Sequence, residues 1–422
     1  MSSDHSQGRK NCVRLGVIAN AAVFFVIAVA TMAESQTYRV IHDFTNGGDG
    51  GSPNTGLTAD AAGNLYGTAA GGAHGRGVIF KLKRSGSNWI VNPIYSFSGD
   101  DGNYPNGRVT IAADGTLYGT TFYGGGQGCS GVGCGLVYRL RPPLTAPRSA
   151  LAPWNESILY RFQGLDGALP QGDLTFDSAG NIYGTTVGGG QSNWGTIYKM
   201  APSGGGWSET VLYSAQESDG NGSQPYGGVV LDHAGNLYGV FQFGGQGNGT
   251  AYQLSPSGSG WTLHVVHNFG FDQGNGIEPI GGLIMDSAGN LFGTTLYGGT
   301  FLAGGVVYEL SPAGGGWSYQ TIYNFLNGDG GPEDKLTMDA AGNLYGTAFS
   351  AGAFGWGSVF KLTPSAGGWT YTSLHDFCAD DFPCTDGARP VSTVTITPNG
   401  NLYGTTSTGG ANGQGVIWEI TP

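Results

Sequence analysis

Charge is scarce in this chain. Only 11% of its residues are Asp, Glu, Lys or Arg, less than half the usual share. A long helical protein covers its surface with Glu, Lys, Ala and Leu, so this shortage excludes an extended helical architecture. Basic residues are scarcest: 17 Lys and Arg against 29 Asp and Glu give a formal net charge of −12. That balance excludes an electrostatic footprint for nucleic acid and disfavours adhesion to anionic lipid. There is no Gly-x-y period of three, which excludes collagen. No GxSxG, HExxH or P-loop segment is present, so the common hydrolase, zinc-peptidase and nucleotide-binding signatures are missing. Beyond residue 33 no apolar run is long enough to span a bilayer.

Glycine is abundant instead, at 81 of 422 residues, with 19 Pro. Such a content borders on that of disordered chains. Hydrophobic residues at 39% and aromatics at 12% argue against disorder, because they supply enough apolar surface for a core. The expectation is an all-β protein with many Gly-rich turns.

The first 33 residues read differently. Arg9, Lys10 and Arg14 precede an apolar stretch from Leu15 to Ala33, whose centre, Ala21 to Ala30, has no polar residue. Small-residue patterns close it, Ala28-Val29-Ala30 and Thr31-Met32-Ala33. This is the pattern of a secretory signal peptide over residues 1–33, cleaved near Ala33. The alternative is an uncleaved membrane anchor, since 19 residues just reach spanning length. The expected location is secreted or extracytoplasmic, or membrane-tethered if the segment is retained. Cysteine usage fits export. Cys12 lies in the leader, and the other four form two close pairs, Cys129/Cys134 and Cys378/Cys384, expected as local disulfides. A zinc site is disfavoured by the lack of CxxC spacing or a nearby His.

The remainder is repetitive. Gly63-Asn64-Leu65-Tyr66-Gly67-Thr68 recurs in copies that begin at Gly115, Gly180, Gly235, Gly289, Gly342 and Gly400, 52 to 65 residues apart. A period near 50 signals a propeller, solenoid or array. Each repeat resolves into four short β-type runs: Leu-Thr-x-Asp, Asn-Leu-Tyr-Gly-Thr-Thr, Val-Tyr-x-Leu, and a run from a Trp to a Phe, as in Trp317, Tyr323 and Phe325. Four strands per repeat predict a seven-bladed β-propeller of four-stranded blades over residues 34–422, one domain. The chain enters at a fourth strand, Thr37 to Phe44, and leaves after a third, Val416 to Ile420. The N-terminal strand should therefore close the ring by pairing with the last three strands, removing exposed edges. A monomer is expected.

The run Leu-x-x-Asp-x-x-Gly-Asn-Leu-Tyr-Gly-Thr, then Gly-Gly, then Val-Tyr-x-Leu, resembles the GloVer tandem repeat (the Gloeo/Verruco repeat family). That repeat marks the choice-of-anchor GloVer-containing bacterial proteins, and the likeness covers nearly all of residues 37–422. It implies an exported, surface-associated protein and supplies no catalytic residues. Unlike the family's anchored members, the sequence shows no sorting tail after Pro422.

Strand parity assigns the loops to two faces. Loops between strands one and two, and three and four, share one face; the rest share the other, here called the top. On the bottom, Asp60, Asp177, Asp232, Asp286 and Asp339 of Asp-x-Ala-Gly-Asn are expected to bond their own turn amides. On the top, each incoming loop carries an Asp and then a Pro: Asp49/Pro53, Asp101/Pro105, Asp166/Pro170, Asp219/Pro225, Asp272/Pro279, Asp329/Pro332 and Asp386/Pro390. These read as Asx turns. No cofactor is expected, the exception to weigh being calcium at the Asp-Gly loops, where the distal Glu of a calcium cage is lacking. His42, His267 and His375 replace a strand Tyr and read as packing residues, His233 lies in a bottom turn, and His74 on a top loop has no acidic partner in sequence.

Symmetry-breaking residues are the sharpest clue to a site. Three positions after the Pro, where other repeats have Gly or Thr, stand Arg108, Asp173 and Lys335. Top-face aromatics are Tyr123, Trp194, Phe243, Tyr297 and Trp356, suited to sugar or peptide faces unless they only pack between loops. Asp173 with Glu333 or Asp334 is the candidate carboxylate pair for glycoside cleavage. The expected function is a non-catalytic binding module for carbohydrate, peptide or a cell-surface protein, with Arg108, Asp173, Lys335 and the five aromatics as the ligand-binding set. A polysaccharide lyase or hydrolase acting at the channel mouth and a structural envelope module are the alternatives.

Overall fold

The computed structural model describes residues 36–126, 128–143, 154–216, 220–245, 247–271, 274–300, 304–325, 331–380 and 383–422. Residues 36–422 form one compact unit. The leader segment and its cleavage site lie outside the described residues, as do Asp219, Asp272 and Asp329 of the top-face Asp series.

The architecture is all-β, with the strands in a propeller arrangement and no helix among the described residues. One repeat shows how its sequence builds a sheet. Thr58–Ala59, Leu65–Ala69, Val78–Ser85 and Asn88–Ser96 lie side by side in chain order. Leu65–Ala69 is buried throughout, whereas Asn88–Ser96 alternates exposed and half-buried positions, as an outer strand covered on one side does. The third and fourth strands of this repeat pair with a bulge between Ile79 and Phe80, and the same irregularity recurs at Ile197/Tyr198, Ala251/Tyr252, Val307/Tyr308 and Val359/Phe360. The core lies between neighbouring sheets: Tyr238, Val240 and Ala251 pack with Leu291, Val306 and Tyr308 of the next repeat.

Closure takes the expected partners. Thr37–Asp43 pairs antiparallel with Val416–Thr421, which continues to Leu402–Thr406 and Thr395–Ile396. Phe44 at the end of that first strand is fully buried with Leu57, Phe80 and Ile417. The last repeat has Thr397 where the bottom-turn Asp should stand. Glu419, fully buried, takes over: its carboxylate accepts from Asn401 Nδ2 and the Tyr403 hydroxyl, each at 2.7 Å, and from Arg39 Nε at 2.5 Å.

Seven separate four-stranded sheets are not what the hydrogen bonds draw. Among the described residues there are four four-stranded sheets, one of five strands, one of eight, and a two-stranded ribbon. The eight-stranded sheet arises because the inner strands Ala168–Phe176 and Ser223–Leu231 meet through a parallel pair, Asp173 with Gly228. Glycine permits that approach: a Cβ on Gly172 would lie 2.3 Å from the Gly228 amide nitrogen. In the fifth repeat Gly276–Ile277 and Tyr297–Gly298 split off as the ribbon.

The bottom turns are built as their sequence indicates. Asp232 Oδ1 accepts from the Ala234 and Asn236 amides at 2.9 and 2.8 Å, and Oδ2 from Asn236 Nδ2 at 2.8 Å and the Tyr238 hydroxyl at 3.1 Å. Burial raises the Asp232 pKa, but these hydrogen bonds outweigh it and hold the carboxyl below its ordinary value. Asp232→Ala should therefore cost about 1–2 kcal/mol in urea titration at neutral pH. Because the folded pKa is depressed, this contribution is present above the unfolded value, about 3.9, and is lost as pH falls through the folded one. The gap between parent and variant should close in strong acid; a gap that widens there would refute the assignment.

Candidate functional site

The residue after each Pro, together with the next two, brings the chain into the centre of the molecule. One cavity of about 250 Å³ collects these positions from all seven repeats: Asn54, Asn106, Gln171, Tyr226, Ile280, Glu333 and Val391 each line it. Arg108, Asp173 and Asp334 line the same cavity. Arg108 and Asp173 meet at this cavity, and Lys335, which does not line it, reaches the same carboxylate. Arg108 Nε stands 3.7 Å and Lys335 Nζ 3.9 Å from one oxygen, Asp173 Oδ2. Both separations exceed hydrogen-bond length, so neither cation is locked onto the carboxylate. Asp173 and Lys335 side chains are each 18% exposed, and Arg108 31%.

Burial and charge shape the acids and bases of this mouth. Burial lowers the Lys335 pKa; the Asp173 carboxylate pulls it back up and Arg108 adds to the lowering. Burial pushes Asp334 up to about 6, aided by the Asp173 charge and opposed by the hydrogen bond from the Lys335 amide to Asp334 Oδ1, 2.7 Å long. Thr393 donates to the same oxygen at 3.1 Å. Glu333 is pushed up to about 7, first by burial and then by the Asp334 charge. Two carboxyls shifted towards neutrality thus sit in the same cavity as a third held between cations.

The five top-face aromatics are not gathered at the mouth; none of them lines that cavity. Tyr123 stacks edge-on against Phe122, with ring centroids 4.8 Å apart, and lines a separate groove. Trp194 is half-buried against the core of the third and fourth repeats. Trp356 packs beside Cys378, Cys384 and Ala388, with the Arg389 guanidinium 5.7 Å from its ring centre. Phe243 is half-buried at the end of Leu237–Phe243, and Tyr297 is exposed in the ribbon. Trp194 and Trp356 thus pack against core clusters, whereas Tyr123 and Tyr297 stay accessible. What sequence reasoning overlooked was the ring of residues directly after each Pro, although that position varies from repeat to repeat.

The top-face Asp residues engage the chain itself. Asp101 Oδ2 accepts from the Tyr95 hydroxyl and Asp166 Oδ2 from Tyr160, each at 2.6 Å. His42 and His375 replace those tyrosines and contact Asp49 and Asp386 at 3.1 and 2.9 Å, and His267 contacts Asn275 at 3.2 Å. Among the described residues no group of three or more His, Cys, Asp or Glu is arranged to hold a metal ion. His74 is exposed. The cysteines pair locally, Cys129 with Cys134 and Cys378 with Cys384, which is consistent with an extracellular protein. Among the described residues no helix is long and apolar enough to cross a membrane.

The repeated turn, the Gly-Gly loop and the Val-Tyr-x-Leu strand also decide the kinship. The family model of the Gloeobacter/Verrucomicrobia repeat matches residues 19–153, 129–338 and 303–422. The chain belongs to that repeat family. No curated protein matches it. Among solved structures, this Gloeobacter/Verrucomicrobia repeat protein is similar to PorZ, an essential bacterial surface component of the type-IX secretion system of Porphyromonas gingivalis. The identity is 12% over 86% of this chain and 46% of that one, with a TM-score of 0.50. It is also similar to a candidate gluconolactonase, 15% identical over 92% of both chains with a TM-score of 0.43. A third is a candidate glucose-dehydrogenase-type oxidoreductase from Thermus thermophilus, 14% identical over 76% of this chain and 97% of that one, with a TM-score of 0.45. At 12% identity the likeness to PorZ speaks to the fold alone, and nothing is built on the other two.

Proposed function

We propose that this protein is an exported, non-catalytic binding module, a seven-bladed propeller that holds a hydroxyl-rich ligand, a glycan in the first instance, at its central mouth. The blade count takes the eight-stranded sheet as two blades and joins the ribbon to its neighbouring sheet. The leader is removed near Ala33 and the mature chain acts outside the cytoplasm. One observation carries the binding reading: Arg108 and Asp173, which depart from the repeat, line one cavity, and Arg108 and Lys335 both approach the Asp173 carboxylate at separations longer than a hydrogen bond. Cations and a carboxylate held apart offer both donors and acceptors, the combination that vicinal hydroxyls need.

A glycan array probed with the full chain tests this. Arg108→Ala should weaken binding to any retained glycan by about 1–3 kcal/mol, about fivefold to 150-fold, through loss of a charge-assisted hydrogen bond. Asp232→Ala, on the bottom face, should leave affinity unchanged. The reverse pattern would place the site elsewhere.

A second reading rests on the carboxyls. Asp334, pushed up to about 6, and Glu333, pushed up to about 7, both lean towards the neutral form that a general acid needs, in the cavity that Asp173 also lines. A hydrolase or lyase would release new reducing ends or unsaturated ends from the glycans retained, and Asp334→Asn would stop the release without preventing binding.

A further inference from the structure

The residue before the Pro is the outlier of the top face. Ser52, Tyr104, Leu169, Gln224, Glu278 and Arg389 have φ of 49°, 59°, 59°, 56°, 54° and 55°. An L-residue in this left-handed region is strained, and glycine is the residue that relieves it. The fold demands the conformation. The amides donate across the loop junction to the carbonyls of Gln414, Arg76, Cys134, Trp194, Asn248 and Trp356 at 2.7–2.8 Å. Tyr104 packs against Phe122, Leu169 against the neighbouring core, Glu278 accepts from Gln242 and Arg389 lies over Trp356, yet the six repeats carry six different side chains there. Strain that persists with varied chemistry, on loops around a cavity, is the pattern of residues kept for contact.

Two of them belong to a second cavity. A groove of about 600 Å³ is lined by Leu169 and Gln224 together with Tyr123, Val132, Asn193 and Tyr226. Tyr226 also lines the mouth, so the two cavities share a wall residue. One side of the groove is formed by the loop stapled through Cys129 and Cys134. Its lining differs in kind from that of the mouth: among the described residues no charged side chain takes part. It offers the rings of Phe122, Tyr123 and Tyr226, branched aliphatic groups and two carboxamides.

We propose that this groove is an extended subsite for a neutral oligosaccharide whose terminal unit occupies the mouth. Tyr123, Leu169 and Val132 present apolar surface to the C–H faces of sugar rings, and the Asn193 and Gln224 carboxamides meet ring hydroxyls. The volume falls within the range of ligand-binding clefts and exceeds the mouth's, so the groove takes the longer part of the chain. The lack of charge selects a neutral polymer over an acidic one. This inference rests on the glycan reading of the mouth.

The test titrates the full chain, disulfides formed, with length ladders of neutral oligosaccharides from one to six units: glucans, xylans and N-acetylglucosamine oligomers. Affinity should climb at least about tenfold from monosaccharide to tetrasaccharide in one ladder and then level off. Gln224→Gly relieves backbone strain, so its melting temperature should hold or rise, whereas Leu169→Gly also gives up packing against the neighbouring core and should melt no higher than the parent. Each should lower tetrasaccharide affinity about tenfold towards the monosaccharide value and leave the latter unchanged. Arg108→Ala should weaken both. Equal affinity at all lengths, or groove variants that weaken monosaccharide and tetrasaccharide alike, would overturn the groove while the mouth stands. If no ladder binds, or if unstructured peptides bind in the groove instead, the groove reading falls; the mouth reading falls only if the glycan array also retains nothing.

Discussion

Removal of residues 36–45 should abolish cooperative unfolding or bring the melting temperature down steeply. The strand Thr37–Asp43 supplies the outer pairing of the last sheet. Phe44 is fully buried, and Tyr38, Val40 and Ile41 pack against the two flanking cores. Each such side chain contributes up to about 1.5–3 kcal/mol of burial when fully covered. The deletion also strips Arg39 from the buried carboxylate of Glu419. Arg39 is 43% exposed, so solvent shares that compensation and the loss is nearer about 1–2 kcal/mol. Together these rival the total stability of a typical domain, about 5–15 kcal/mol. Thermal and urea unfolding of the deletion variant would decide it; an unchanged melting temperature would refute the closure of the sheet by this strand.

Gly227→Ala should be nearly as damaging, though it adds one methyl group. A Cβ at Gly227 would stand 2.4 Å from both the nitrogen and the Cα of Gly282. Those are backbone atoms of the next repeat, which cannot rotate away. With φ at +72° the substitution is strained as well as crowded. A loss of at least about 3 kcal/mol is expected. Gly235 is the control. Its φ is +87° and nothing lies within 4 Å of the added carbon, so Gly235→Ala should cost only about 1–2 kcal/mol. Urea midpoints for the two variants separate contact from conformation. Equal losses would mean that the repeats are not in backbone contact at the centre.

Legibility in the sequence followed the physics of each feature. The turn around Asp177 and Gly180 could be read because its hydrogen bonds are local and its residues few. Arg108, Asp173 and Lys335 stood out because charge replaced Gly or Thr against a repeating background, and they do meet. The aromatics were harder, since a ring in a Gly-rich loop covers that loop or faces a ligand with the same composition, and only packing distinguishes the two. Trp356 beside the Cys378–Cys384 staple is a covering ring. Backbone strain at Leu169 and Gln224 left no trace in residue type, because an ordinary side chain does not announce a left-handed φ. The role of Glu419 had a faint signal in Thr397, which cannot do the work of the missing turn Asp. The fusion through Asp173 and Gly228 had one in the consecutive glycines Gly227-Gly228.

Pairing of Thr37–Asp43 with Val416–Thr421 also sets a timetable. During synthesis the first of these strands emerges early, and its partner only after all the residues between them. Each intervening repeat can assemble its own hairpins from near neighbours, which is fast, while this one contact must wait for the greatest loop closure in the molecule. Until then the edge of Val416–Thr421 and the apolar side of Thr37–Asp43 are open to strands of other chains. Refolding from urea should therefore end in a slow phase that reports on Trp418, buried in the last sheet, and grows more prone to intermolecular pairing as protein concentration rises.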